Sequence, residues 1–292
     1  MLLLAILIAG CTTPGSGTPP VSGAPAPASS SSGPAASLPS TAKPVATIAL
    51  GPAMRLALDT SGPMIASDAG PKDHHWVLPA TAARDKDGGF VLFVVWFGDA
   101  PGDQIVTVAR STDGRDWQIR IDPILTDLGM DLVRPMAIPS AALQLDDGTW
   151  LLYGWAAHAS SPTTFTSWRA SAPKPEGPWK LDQAVVLDHG PSGSWDSQLA
   201  AAGAVRRDGA GYAMWYEGQG PGNSARGEIG YATSPDGLAW QKATDPVIRH
   251  DVCGAGTSVA ITQPQVEGWS GGLAGVIGGM GAGQDRMDAY GV

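Results

Sequence analysis

Tryptophan recurs along this chain with a period near sixty residues, and that recurrence limits the fold more than any other feature. Trp96, Trp155 and Trp215 are 59 and 60 residues apart, and Trp117, Trp179 and Trp240 are 62 and 61 apart. Asp-Gly pairs at 87–88, 147–148 and 208–209 follow the same spacing, at 60 and 61. Three independent landmarks on one period mark an internal repeat. All eleven tryptophans lie after residue 75, so the repeat belongs to that part of the chain.

Each unit has the same internal order. A run rich in small residues comes first ("PATAAR", "IPSAALQL", "QLAAAGAV"), followed by the Asp-Gly turn. An apolar, aromatic run comes next ("FVLFVVWFG", "TWLLYGWAA", "YAMWYEG"), then a third run ("QIVTVARS", "TFTSWRAS", "EIGYATS"). A turn and a tryptophan end it ("TDGRDW", "APKPEGPW", "PDGLAW"), with a fourth segment beyond ("QIRID", "KLDQAVVL", "QKATDPVI"). These runs have strand length and are bounded by Gly, Pro and Asp turn signals. Four short antiparallel strands per repeat is the pattern of a β-propeller blade, so the fold class expected is all-β. Small first strands suit the crowded axis. Second strands apolar throughout suit burial between adjacent blades.

A fourth unit begins at "GTSVAITQPQVEGWSGGLAGVIGG", and the terminal "RMDAYGV" aligns with "EIGYATS". Its last turn, tryptophan and outer strand are missing, so this blade is expected to be incomplete. The segment 46–70 is available to supply an outer strand and close the ring. Four closed blades and a five-bladed ring short of one blade both fit.

The opening "MLLLAILIAGC" is an apolar run ending in a cysteine. It is too short to span a bilayer. It resembles the lipobox of bacterial lipoproteins, which implies a signal peptide over residues 1–10 and lipidation of Cys11. A charged n-region is absent, so a start further upstream is expected. A simple cleaved signal is the alternative. Residues 12–45 lack acidic and aromatic side chains and are rich in Pro, Ser and Gly. Such a segment buries too little apolar surface to order itself and acts as a flexible tether. The expected organisation is signal 1–10, lipidated cysteine and tether 11–45, and propeller domain 46–292. The protein would be extracytoplasmic, anchored to the cell membrane and monomeric. With Cys11 lipidated, Cys253 has no disulfide partner and is expected as a small buried residue.

Composition narrows the partners. The formal net charge is −9, and no basic footprint for nucleic acid is present. No Gly-rich phosphate loop, Ser-His-Asp order or zinc spacing stands out, and no cofactor is expected. Neutral or cationic ligands remain.

The combination of "WYEG" with "IGYATSPDGLAW", and the variant "SAPKPEGPW", resembles blades of the five-bladed propeller glycosidases: glycoside hydrolase families 43, 32 and 68 and the related mannoside phosphorylases. The resemblance covers residues 70–292. It implies a carbohydrate-active protein, a glycoside hydrolase if it is an enzyme, with acidic residues from different blades meeting at the axial mouth. A non-catalytic propeller that binds glycans or a protein is the alternative. The sialidase Asp-box, Ser-x-Asp-x-Gly-x-x-Trp, is a weaker match. Here the spacing is Ser-x-Asp-Gly-x-x-Trp, and no set of three arginines is visible.

In a propeller the first strand starts, and the second ends, at the same face. The segments entering first strands are "PKDHHW", "MDLVRP", "GSWDS" and "RHDVCG", which hold Asp73, Asp131, Asp196 and Asp251. Second strands end near Asp99, His158 and Glu217. Glycoside hydrolysis needs one carboxylic acid to protonate the leaving oxygen and one carboxylate opposite it. The resemblance implies Asp73 as base, Asp196 or Asp131 as the tuning or orienting residue, and Glu217 as acid. His74, His75, Arg134, Trp195, His158 and Asp251 are candidates for sugar contact. The family's first-blade Asp-Pro signature is replaced here by "DHHWVLP". A metal at His74-His75 would need a third ligand. Asp87, Asp147 and Asp208 read as hairpin residues and Asp113 and Asp236 as rim residues, all structural.

Overall fold

The computed structural model describes residues 65–66, 68–100, 103–125, 128–131, 137–221 and 227–250, together with strand segments 8–10, 260–269, 272–280 and 288–291. Within these the protein is all-β. The first blade contains β2 (His74–Arg84), β3 (Phe90–Gly98), β4 (Gln104–Ser111) and β5 (Gln118–Arg120). The second contains β6 (Ile138–Gln144), β7 (Trp150–His158), β8 (Ser161–Ala172) and β9 (Lys180–Leu187). The third contains β10 (Leu199–Asp208), β11 (Gly211–Gln219), β12 (Glu228–Ser234) and β13 (Gln241–Lys242). The last contains β14 (Ala260–Trp269), β15 (Gly272–Met280) and β16 (Asp288–Gly291). Consecutive strands within each blade pair antiparallel, as the repeat predicts.

The fourth place in the last sheet is filled from the other end of the chain. β1 (Ile8–Gly10) lies beside β16 and runs parallel to it, pairing Ile8 with Ala289 and Gly10 with Gly291. The segment 46–70 was the expected source of this strand. Residues 46–64 lie outside the described residues, and the described residues of 65–70 form no strand. Ile65 instead packs on the first blade, in a cluster with Leu92, Val94 and Trp96. Cys11, the tether, Arg134, Asp251 and Cys253 also lie outside the described residues.

The first strands β2, β6, β10 and β14 are neighbours in that order, which places them innermost. The second strands lie between blades and are buried along most of their length: Val91 through Trp96 on β3, Trp150 through Tyr153 on β7, Tyr212 through Tyr216 on β11. Burying one such large side chain contributes about 1.5–3 kcal/mol, so these strands carry much of the stability. Each hairpin from a first to a second strand turns at the Asp-Gly pair. Gly88, Gly148 and Gly209 adopt φ of 86°, 90° and 56°, which glycine takes without strain.

The second and third blades are joined more closely than separate blades would be. Ser167 of β8 donates its hydroxyl to the Ala200 carbonyl (2.8 Å) and accepts the Ala202 amide (2.8 Å). Phe165 on β8 pairs in parallel with Leu199 on β10, so the two blades share one eight-stranded sheet. A small hydroxyl residue at 167 permits that approach.

The rim turns hold blades to one another. In "STDGRDW" and "SPDGLAW" the serine hydroxyl bonds the aspartate, and the aspartate carboxylate accepts two amides ahead of it. The tryptophan indole then donates back to the turn glycine carbonyl, Trp117 to Gly114 and Trp240 to Gly237. These amide bonds hold the Asp113 and Asp236 carboxyls below the usual range. The preceding blade reaches into the turn. Tyr153 donates to the Gly237 carbonyl (3.0 Å), and Arg169 Nη1 donates to the Asp236 carbonyl (2.9 Å). One period earlier, Arg110 Nε donates to Glu176 in the second blade's turn (2.6 Å).

Burial is the largest single influence on Glu176 and opposes its charge, but the Arg110 hydrogen bond, a backbone amide and the charges of Arg110 and Lys174 together outweigh it and hold this carboxyl below its ordinary value. A depressed carboxyl stabilises the fold above its unfolded pKa, about 4.3, and loses that contribution as pH falls through the folded value. Glu176→Gln is therefore expected to lower the urea midpoint at pH 7. The gap to the parent should narrow as the pH falls to about 3. A gap that stays constant in urea unfolding across this range would contradict the pairing.

Candidate functional site

The starts of β2, β6 and β10 and the ends of β3, β7 and β11 share one end of the blades. All the described site candidates lie at that end, in three groups, one to a blade.

In the first blade, Asp73 enters β2 with φ of 72°, a left-handed conformation for a residue other than glycine. Asp is one of the few side chains that tolerate it, at a cost of about 1 kcal/mol. Among the described residues its carboxylate makes no hydrogen bond or ion pair, and it is exposed. His74 follows, pointing both ring nitrogens at acceptors. Nδ1 faces the Lys72 carbonyl at 3.3 Å, and Nε2 lies 3.2 Å from Asp103 Oδ1, close but poorly aligned for a hydrogen bond. Asp103 is itself fixed by its backbone, whose carbonyl accepts the Gly98 amide (2.7 Å). His75 sits at a bulge in the β2–β3 register, its Nε2 3.9 Å from Asp99, with both side chains open to solvent.

In the second blade, Asp131 is exposed. Its backbone carbonyl accepts the Ala159 amide (2.9 Å), which brings it beside the end of β7 and His158. His158 Nε2 is buried without a hydrogen-bond partner among the described residues.

In the third blade, Asp196 is buried, with 4% of its surface exposed. Ser194 Oγ donates to Oδ1 (2.8 Å), while Tyr216 Oη (3.2 Å) and Lys242 Nζ (2.7 Å) donate to Oδ2. Burial, then the Asp196 charge, pushes the Tyr216 phenol well above its usual range, so it remains a donor. Trp195 stacks on Tyr216 with centroids 5.5 Å apart and donates its indole N–H to the Thr244 carbonyl. Gly218 and Gly230 make room for it; a Cβ at either would strike the indole. Trp195 and Asp196 thus pack on the blade face, tying the entry of β10 to β11 and to the outer strand β13. Glu217 lies on the other face of β11, paired in register with Ala201 and Ile229. It is half-buried, and Gln219 Nε2 donates to its Oε1 (2.8 Å).

Sequence reasoning missed several participants. Lys242 lies 46 residues from Asp196 and gives no local signal. Asp103 sits in a turn that the strand pattern marks only as a connection. Glu228 begins β12 at the same end, buried, with His250 Nδ1 at 3.0 Å and Arg249 at 3.9 Å. Among the described residues no group of three His, Cys, Asp or Glu side chains is placed to hold a metal ion. A cleft of about 450 Å³ lies at the opposite end of the third blade, away from these groups, between Asp208, Tyr212, Ser234 and Trp240.

No family model matches the chain, and no curated protein matches it in sequence. Solved structures do match in fold. A family 117 glycoside hydrolase of the marine bacterium Zobellia galactanivorans, Zg3597, gives a TM-score of 0.54 at 16% identity, over 73% of this chain and 65% of that one. BT0996, solved as a complex with RGII, gives 0.58 at 16% identity, over 75% and 70%. The Bombyx mori family 32 β-fructofuranosidase BmSUC1, solved with sucrose, gives 0.52 at 12% identity, over 72% and 44%. The chain thus spans a little under two-thirds of the Zobellia enzyme and less than half of the silkworm enzyme. The likeness is one of fold, the β-propeller.

The Asp196–Lys242 pair yields a stability test. Removing one partner of a buried pair leaves a charge without compensation. Lys242→Met is expected to cost about 3 kcal/mol, the low end of that class, because the lysine remains partly exposed. Adding Asp196→Asn should recover part of the loss. Denaturant unfolding of the single and double variants measures both.

Proposed function

We propose that the protein acts on a neutral glycoside at the mouth of the propeller, with Glu217 as general acid and Asp73 as base. In this reading Asp131 orients the sugar, and His75 and His158 contact it. The observation that carries the proposal is the placement of exposed or half-buried carboxylates from three blades at one end of a glycosidase-type fold. A carboxylic acid and a carboxylate on opposite sides of a glycosidic bond are what hydrolysis requires. Glu217 is half-buried and Asp73 exposed, and they come from different blades.

The second reading, a glycan-binding propeller without turnover, is favoured by Asp196. Its carboxylate is committed to Lys242, Tyr216 and Ser194, which leaves it little capacity to tune an acid. Aryl furanosides, xylosides and mannosides separate the two readings. Under the first, Glu217→Gln and Asp73→Asn each lower turnover about 10²- to 10⁴-fold, the range of general acid–base catalysis. Glycan binding that survives both changes, with no sugar released from any of these substrates, would establish the second.

We also propose that Cys11 carries lipid after residues 1–10 are removed, so that the β1–β16 pairing belongs to the chain before cleavage, and that residues 12–45 hold the domain away from a membrane. Support comes from the apolar run ending at Cys11 and from the composition of the segment behind it. Metabolic labelling with a palmitate analogue is expected to mark the parent and not Cys11→Ala. Equal labelling of both would sink the assignment.

A further inference from the structure

We propose that Trp76 is a stacking platform for a neutral sugar ring at the mouth, an inference that rests on the glycoside reading above and adds a binding residue to it. Among the described residues the exposed large apolar side chains are Trp76 and Ile121, and Trp76 is 68% exposed. A single exposed apolar side chain needs no explanation by itself. The place of this one does. It lies on β2, an innermost strand; the first strands of the second and third blades carry no aromatic residue. Other tryptophans of the repeat are buried or packed: Trp96, Trp150, Trp168, Trp179 and Trp215 expose 0–9% of their surface.

The backbone presents Trp76 in a particular direction. The bulge between His74 and Trp76 shifts the register by one residue, so that Trp76 pairs with Phe97. Bulges next to functional sites commonly re-aim a side chain in this way. Phe97 shares its face of β3 with Val91 and Phe93, which pack on the second blade through residues such as Trp179. Trp76 therefore faces the second blade at the end of the strand where that core has given way to solvent. It stands three residues after Asp73 and beside the exposed His75–Asp99 pair.

An aromatic surface next to exposed carboxylate and imidazole groups is chemically specific. The ring faces of pyranoses and furanoses carry C–H groups that pack on an indole. Their edges carry hydroxyls that donate to carboxylates and accept from imidazole. The acidic surroundings disfavour an anionic ligand, and the polar edge distinguishes this place from a purely apolar docking surface.

The test uses the full chain with xylotetraose, mannotetraose and 1,5-linked arabinotetraose as probes. Binding is measured by calorimetry to the Glu217→Gln protein with and without Trp76→Ala or Trp76→Phe. Hydrolysis is followed with Glu217 intact, again with and without the Trp76 changes. Far-UV circular dichroism checks that the variants fold, which an exposed position allows. Trp76→Ala is expected to weaken binding of the recognised probe roughly tenfold, with Trp76→Phe recovering most of it. KM should rise by a similar factor while kcat stays near the parent value. Trp76-dependent binding without hydrolysis upholds the platform and removes the catalytic reading. Hydrolysis with the KM of the parent in Trp76→Ala removes the platform and leaves the catalytic reading standing. Failure of every probe to bind overturns the platform.

Discussion

The hydrogen bonds from one blade into the next blade's rim turn are the contacts on which the arrangement of blades depends. Tyr153 and Arg169 reach the carbonyls of Gly237 and Asp236, and Arg110 reaches Glu176 one period earlier. A turn can receive such donors only if its own backbone is fixed. The serine and aspartate of the motif do that, by occupying the amides that would otherwise compete. The tryptophan then closes the turn and offers its ring edge to the neighbouring blade, as Trp240 does to Tyr153 at 6.1 Å. Burial keeps the Tyr153 phenol protonated despite the opposing pull of Arg169, so the donor persists. Local order in the turn is therefore a precondition for order between blades.

That division of labour frees the opposite end. Rim turns and second strands supply the stability, and segments at the mouth are under less demand to pack. The mouth carries the features that a purely structural end would lack. One aspartate is left-handed, two imidazole nitrogens, on His74 and His158, are buried without a hydrogen bond among the described residues, and one tryptophan is open to solvent. Strain of this kind persists where the surrounding structure over-determines it. Beside Asp73, His74 faces the Lys72 carbonyl with one ring nitrogen and lies near Asp103 with the other.

The period of the repeat was legible in the sequence because Trp and Asp-Gly each do a local job at a set place in the blade. Strand order, hairpin positions and burial of the second strands follow from it, and the structure has them. Three things did not follow. The outer strand of the last blade comes from Ile8–Gly10, a pairing across nearly the whole chain that no local pattern encodes. The union of the second and third blades depends on one serine hydroxyl at a strand crossing. Trp195, a candidate sugar contact by its position, is stacked on Tyr216, because the glycines that admit it are on strands distant in sequence. Asp196 does stand at the entry to β10, but its partner Lys242 lies on the outer strand, so its charge is engaged within the blade. Sequence pattern reports which end of a strand a residue occupies. Which neighbour it meets depends on packing.

Charge sorts the acidic groups into two kinds. Buried and half-buried carboxylates of the blades have a cation at hand: Asp196 has Lys242, Glu176 has Arg110, and Glu228 has Arg249 beside it. This is what desolvation requires, because a buried charge without a partner is costly. At the mouth, Asp73, Asp99 and Asp131 are solvated instead, and the His75 imidazole 3.9 Å from Asp99 is itself exposed. Water meets their charge, so no packing requirement explains their clustering at one end. With a net charge of −9, such an end repels anions and accepts hydroxyl donors. Under the proposed glycoside reading the ligand is uncharged, rich in hydroxyls and flat on one side, and the exposed face of Trp76 meets the last of these conditions.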